Sequence, residues 1–94
     1  MEFKGIIKSP KADKKYRATF VDPSGKEKHT DFGARGMDDF TLTKDEDQAK
    51  RYRERHKKDL ETGDPTRAGF LSYYVLWSHP SLRKGIEEYR RRFF

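Results

Sequence analysis

Lys14-Lys15-Tyr16-Arg17-Ala18-Thr19-Phe20-Val21, then Asp22-Pro23-Ser24-Gly25, then Lys26-Glu27-Lys28-His29-Thr30-Asp31-Phe32-Gly33-Ala34: this stretch decides the fold. Tyr16, Ala18 and Phe20 alternate with Arg17, Thr19 and Val21, the period-two pattern of a strand with one buried face. Asp22 opens a turn, Pro23 fixes φ, and Gly25 is free to take positive φ. A type I turn closed by a left-handed Gly25 sets the register. Val21 then faces Glu27, Phe20 faces Lys28, Ala18 faces Thr30 and Tyr16 faces Phe32. A slip by one residue would set Tyr16 against Asp31, which is worse.

Beyond this hairpin, Gly33-Ala34-Arg35-Gly36 reads as a loop, and Phe40-Thr41-Leu42-Thr43 resumes alternation as an expected third strand. Thr43 and Glu46 have capping-box spacing, opening a first helix. Its first turn carries Asp45, Glu46 and Asp47 and its last turn Arg55, Lys57 and Lys58, as the helix dipole favours. Ala49, Tyr52 and His56 give it a narrow apolar stripe. Asp64 and Pro65 suit the cap and first position of a second helix. That helix is apolar over much of its girth and should be the central buried element. Ser78-His79-Pro80 separates it from a third, whose Leu82, Ile86, Tyr89 and Phe93 fall on one helical stripe.

In the other direction, Met1–Asp13 reads as an arm, its Phe3, Ile6 and Ile7 interrupted by Gly5, Ser9 and Pro10. It is expected to add an edge strand or to dock on a neighbour. The fold class expected is α+β: a three-stranded antiparallel β-meander followed by three α-helices packed on one face, with residues 14–94 a single domain and residues 1–13 its arm. The expected core is Tyr16, Ala18, Phe20, Phe32, Phe40, Leu42 and Tyr52 with Leu71, Tyr74, Val75, Trp77, Leu82, Ile86 and Tyr89.

The chain has 94 residues, 32% hydrophobic and 40% charged. Such a balance leans toward disorder, but 14% aromatic content supplies enough large apolar area for a compact body. No apolar run approaches a membrane span, and the first residues lack the apolar segment of a secretory signal, so an intracellular, non-secreted protein is expected. With no Cys, disulfides, thiolate metal sites and cysteine nucleophiles are excluded.

An ordered string of residues carries a resemblance. It runs through Lys15-Tyr16-x-Ala18-x-Phe20-x-Asp22-Pro23-x-Gly25, Phe32-Gly33-Ala34, Asp39-Phe40-Thr41 and Tyr52-x-x-Arg55-His56. It continues through Asp64-Pro65, Ala68-Gly69-x-Leu71-Ser72, Leu76-Trp77, Pro80-Ser81-Leu82, Ile86, Tyr89 and Arg92-Phe93. Over Lys14 to Phe93 the chain resembles a small uncharacterised family encoded by large double-stranded DNA viruses of algae and protists. The resemblance implies a viral origin, within an infected host cell or packaged in the virion. It brings no functional residues with it.

The formal net charge of +6 calls for an anionic partner. Lys50, Arg51, Arg53, Arg55, Lys57 and Lys58 are opposed within their stretch only by Glu54, and Arg90-Arg91-Arg92 close the chain. Part of this charge is expected to be spent in Glu46–Lys50 and Asp47–Arg51 pairs one helical turn apart. Same-face spacing selects Lys50, Arg53, Lys57, Arg90 and Arg91 as contacts to the phosphates of DNA or RNA, read without sequence preference. A non-enzymatic nucleic-acid-binding protein is the leading expectation, with no cofactor, no metal and no small-molecule substrate. A minor capsid or cementing component is the alternative, seated on an acidic coat-protein surface, with Phe3, Ile6, Ile7 and Phe93-Phe94 as apolar anchors. A magnesium-dependent nuclease using Asp38 and Asp39 has the least support. His29, His56 and His79 lack ligand spacing, and Gly33-Ala34-Arg35-Gly36 lacks the spacing of a P-loop.

Overall fold

The computed structural model describes residues 1–94. Strands β1 (Glu2–Lys8), β2 (Lys14–Val21) and β3 (Glu27–Ala34) form an antiparallel sheet in the order β1-β2-β3. There follow a short helix α1 (Phe40–Thr43), then α2 (Glu46–His56), which tightens into a 3₁₀ segment (Lys57–Thr62). Helix α3 (Ala68–Leu71) widens into a π-helical segment (Ser72–Leu76), and α4 (Leu82–Phe93) ends the chain. The α+β class and the meander followed by helices are those the sequence implies.

The β2–β3 register is the one the turn dictates: Val21 opposite Glu27, Phe20 opposite Lys28, Ala18 opposite Thr30, Tyr16 opposite Phe32. Gly25 takes φ 86°, and its N–H donates to the Asp22 carbonyl at 2.9 Å. Asp22 Oδ1 accepts from the Ser24 hydroxyl at 2.6 Å and from the N–H groups of Lys26 and Ser24 at 2.9 Å; the hydroxyl first, then the Lys26 N–H, hold its carboxyl below the usual range. The third strand is β1, from the segment read as an arm. It sets Phe3 opposite Phe20 and Lys8 opposite Tyr16, with a bulge between Phe3 and Gly5.

Phe40–Thr43, expected as a strand, is helical. Asp39 caps it, its Oδ1 accepting from the Thr41 N–H at 2.8 Å, and Lys44 ends it in the left-handed region at φ 56°. The helix also explains Leu42, expected in the core but 63% exposed: two residues apart means one face of a strand but opposite sides of a helix. Because Lys44 breaks the chain direction, the Thr43–Glu46 capping box does not form. Asp45 caps α2 instead, accepting from the Gln48 N–H at 3.1 Å. The second helix begins later than Asp64 and Pro65 imply. Asp64 Oδ1 accepts from the Thr66 N–H and hydroxyl in a local turn, and α3 starts at Ala68. At the far end the Ser78 hydroxyl donates to the Tyr73 carbonyl five residues back at 2.8 Å. α4 starts as its pattern implies, with Ser81 accepting from the Lys84 N–H.

The helices cover one sheet face. Phe3, Ala18, Phe20 and Phe32 meet Phe70, Leu71, Val75 and Leu76, the α3–π segment being the central element expected. Tyr89 is fully buried and donates its hydroxyl to the Pro65 carbonyl; burial pushes that phenol up. Gly85 lets α4 approach, since a Cβ there would meet the Val75 carbonyl oxygen at 2.6 Å. Tyr16, Tyr52, Tyr74, Leu82 and Ile86 sit at the core's margin rather than inside it, because each keeps a polar or open edge to solvent. Phe3, Phe70, Ala49 and Leu76 join the core without having been expected there. No helix is long and apolar enough to cross a membrane.

Candidate functional site

The cations of α2 divide by what they touch. Arg53 Nη1 donates to the Trp77 carbonyl at 2.7 Å, and Nη2 to Glu46 Oε1 at 3.3 Å. It is a tie between α2 and the end of the π segment. The expected Glu46–Lys50 and Asp47–Arg51 pairs are absent, because Glu46 turns to the pinned Arg53 and Asp47 has no cation within 4.0 Å. Lys50, Arg51, Arg55, Lys57 and Lys58 are all exposed and form no ion pair. With Ala49 buried, the outward face of α2 runs through Arg51 and Arg55 and on to Lys58, spaced i, i+4, i+7.

The α4 cations differ. Arg91 pairs with Glu88 at 2.5 Å, Arg92 with Glu88 at 3.6 Å and Arg83 with Glu87 at 3.3 Å. Arg90 lies 5.0 Å over the Phe3 ring. Of the residues selected from spacing, Lys50 and Lys57 belong to the unpaired group, Arg53 and Arg91 are engaged within the chain, and Arg90 stands apart beside β1. Arg51, Arg55 and Lys58 were passed over; the signal that could have found them is their distance around the helix from Ala49.

Beside this ridge lies a cleft of about 610 Å³ between β3, the loop after it, α2 and the α3–π segment. Phe32, Leu76 and Trp77 contribute apolar wall, Tyr52, His56 and Ser72 polar atoms, and Arg55 also lines it. Tyr52 is sandwiched, 4.2 Å from Trp77 at 9° and 4.1 Å from His56 at 21°. Burial chiefly, with Asp59 adding and Arg55 opposing, pushes its phenol up to about 12. His56 Nδ1 lies 3.1 Å from Asp59 Oδ2. Tyr52 and Tyr16 therefore have their rings committed to packing.

The other candidate groups are spent on structure. Asp39 is 2% exposed; one oxygen caps α1 and the other accepts from Lys15 Nζ at 2.6 Å. Arg35 is exposed, and its guanidinium donates to the carbonyls of Lys14 and Ser9. Phe94 packs 5.7 Å from Phe3 and 5.6 Å from Phe20, and Phe93 packs on Phe70 and Tyr74, so these rings anchor the chain to itself.

The architecture and site define a small α+β domain with an unpaired cationic ridge bordering an aromatic-walled cleft. Residues 5–56, from within β1 to the end of α2, match the family of unknown function DUF5754; this is more than half of the chain, which belongs to that family. No curated protein and no solved structure matches it.

Proposed function

We propose that this is a non-enzymatic protein that binds nucleic acid through its phosphates along Arg51 and Arg55 of α2 and Lys58 of the 3₁₀ segment that follows, with Lys50 and Lys57 at the flanks. The observation that carries the reading is the absence of any acidic partner for these exposed side chains, in a chain where most cations of α4 are paired. A paired arginine must break its bond to meet a phosphate; an unpaired one exchanges only water and counterions. Such contacts carry no sequence information, and their strength falls as salt rises. In the viral setting that the resemblance implies, the ligand is the viral nucleic acid.

The test is fluorescence anisotropy with labelled duplex DNA and RNA across a salt series. Binding at low salt should weaken with a log–log slope of about −3, for roughly three phosphates neutralised at about 0.9 each. Arg51→Glu/Lys58→Glu should abolish it, and Arg83→Glu should leave it nearly unchanged. Absence of binding at low ionic strength, or equal loss in both variants, rejects the reading.

A further inference from the structure

The cleft beside the ridge has features that packing alone does not require. At about 610 Å³ it is of ordinary ligand-pocket size, and far larger than a phosphate ion needs. Its accessible apolar wall is Ala34, Met37 and Ala68, over a floor of Phe32, Leu76 and Trp77 of which Trp77 keeps 8% of its surface open. Its polar groups are open: the hydroxyls of Ser72 and Tyr52 are not hydrogen-bonded within the chain, and since no buried side-chain polar atom lacks a partner, both reach solvent through the cleft. Gln48 has its oxygen occupied by the Thr43 hydroxyl at 2.9 Å, which leaves its amide donors free. Three cations line the same cleft: Lys15 is paired with Asp39, while exposed Arg55 and half-buried Lys14 are in no ion pair, and the exposed Asp38 carboxylate lies at the rim. Ser72 opens the π-helical segment, a distortion frequent at functional sites.

We propose that this cleft takes one unpaired nucleotide, its base against the apolar wall with its polar edge toward Ser72, Tyr52 and Gln48, and its phosphate on Arg55 and Lys14. A flat ring with donors and acceptors at its rim matches an apolar wall bordered by hydroxyls and an amide. A plain hydrocarbon would strip water from those groups without replacing the bonds. A bare anion would leave the apolar wall unused. The choice of a nucleotide over another flat anion rests on the nucleic-acid reading above. The two sites share Arg55, so a strand lying on the ridge has its phosphates at the cleft. The same chemistry is offered by a free mononucleotide or by an unpaired base in a single strand.

Trp77 is the only tryptophan and lines the cleft, so its emission reports occupancy. The full chain is titrated with adenosine and uridine monophosphates, inorganic phosphate, a short single-stranded oligonucleotide and its blunt duplex. Saturable emission changes are expected with the mononucleotides or the single strand, and none with inorganic phosphate or the blunt duplex. Response to mononucleotides assigns a free nucleotide, and response to the oligonucleotide alone assigns a strand. Ala34→Phe and Ala68→Phe, at two exposed positions lining the cleft, should each weaken that response by about tenfold or more while duplex anisotropy stays as in the wild type. Thermal melts of both variants identify the one that keeps its fold. An equal response to inorganic phosphate, or wild-type affinity in both filled variants, overturns the proposal. Duplex anisotropy with a Trp77 silent to every mononucleotide and to the single strand leaves the ridge standing and removes the cleft; a Trp77 response to these without duplex binding does the reverse.

Discussion

The guanidinium of Arg53 lies 2.7 Å from the carbonyl oxygen of Trp77, joining the middle of α2 to the end of the π-helical segment. One carbonyl that would otherwise end its helix without a partner is satisfied, and one cation is withdrawn from the surface. The same contact draws Glu46 to Arg53 at 3.3 Å, which leaves Lys50 without the acid one turn away.

Arg53 and Arg51 should therefore separate stability from binding. Arg53→Ala removes a charged hydrogen bond, a loss of about 1.5–3 kcal/mol. At this size that lowers the melting midpoint by on the order of 10 °C. Arg51→Ala should stay within about 0.5 kcal/mol of the wild type, as exposed substitutions do, yet weaken duplex binding. Thermal melts and anisotropy on the two variants check this, and equal effects on both readouts would remove the distinction.

Lys15 and Asp39 form a nearly enclosed pair, 2.6 Å apart with side chains 12% and 2% exposed. Removing one partner of such a pair strands the other, so Lys15→Met should cost about 3–5 kcal/mol. Asp39→Asn keeps an oxygen for the Thr41 N–H, and should be milder than Asp39→Ala by about 1 kcal/mol, the usual worth of a cap. Urea denaturation of the three variants measures the order; an Asn variant no better than Ala would deny the capping role.

Gly85→Ala should reverse the usual sign. In a helix interior that change ordinarily gains about 1 kcal/mol. Here the new Cβ would lie 2.6 Å from the Val75 carbonyl oxygen, forcing α4 away from the π segment. The net expectation is destabilisation of about 1–3 kcal/mol, read from chemical denaturation. A stabilised variant would mean that the two segments are not in contact.

Asp31 gives the chain an acid limb. Hydrogen bonds from Arg17 first and Ser9 second, against a smaller cost of burial, lower its carboxyl to about 2. A carboxyl depressed on folding stabilises fully above its unfolded value, about 3.9, and loses that contribution as pH falls through the folded one. Melting midpoints should decline between about pH 4 and pH 2, and Asp31→Asn should flatten that decline. A variant that tracks the wild type through this window would assign the acid limb elsewhere.

The hairpin and α4 were legible in the sequence because their determinants are local. Asp22, Pro23 and Gly25 fix a turn within four residues, and the turn fixes the register. Leu82, Ile86, Tyr89 and Phe93 repeat over three turns, long enough to separate a helical period from a strand's. Phe40–Thr43 is too short for that separation, and a cap at Asp39 made it helical. The basic character of α2 was plain, but its working face was not. That face depends on where Arg53 is held, and the residue that holds it lies 24 positions away.

The sequence by itself determined the class of fold, the β2–β3 register, the extent of α4 and the excess of positive charge, since each follows from neighbours along the chain or from composition. Only the tertiary structure decided that β1 completes the sheet, that Arg51, Arg55 and Lys58 rather than Arg53 stand free, and that a cleft opens between β3, α2 and the π segment. Those features arise where segments distant in sequence compete for the same carbonyl, carboxylate or apolar face, and that competition is resolved only when the chain packs.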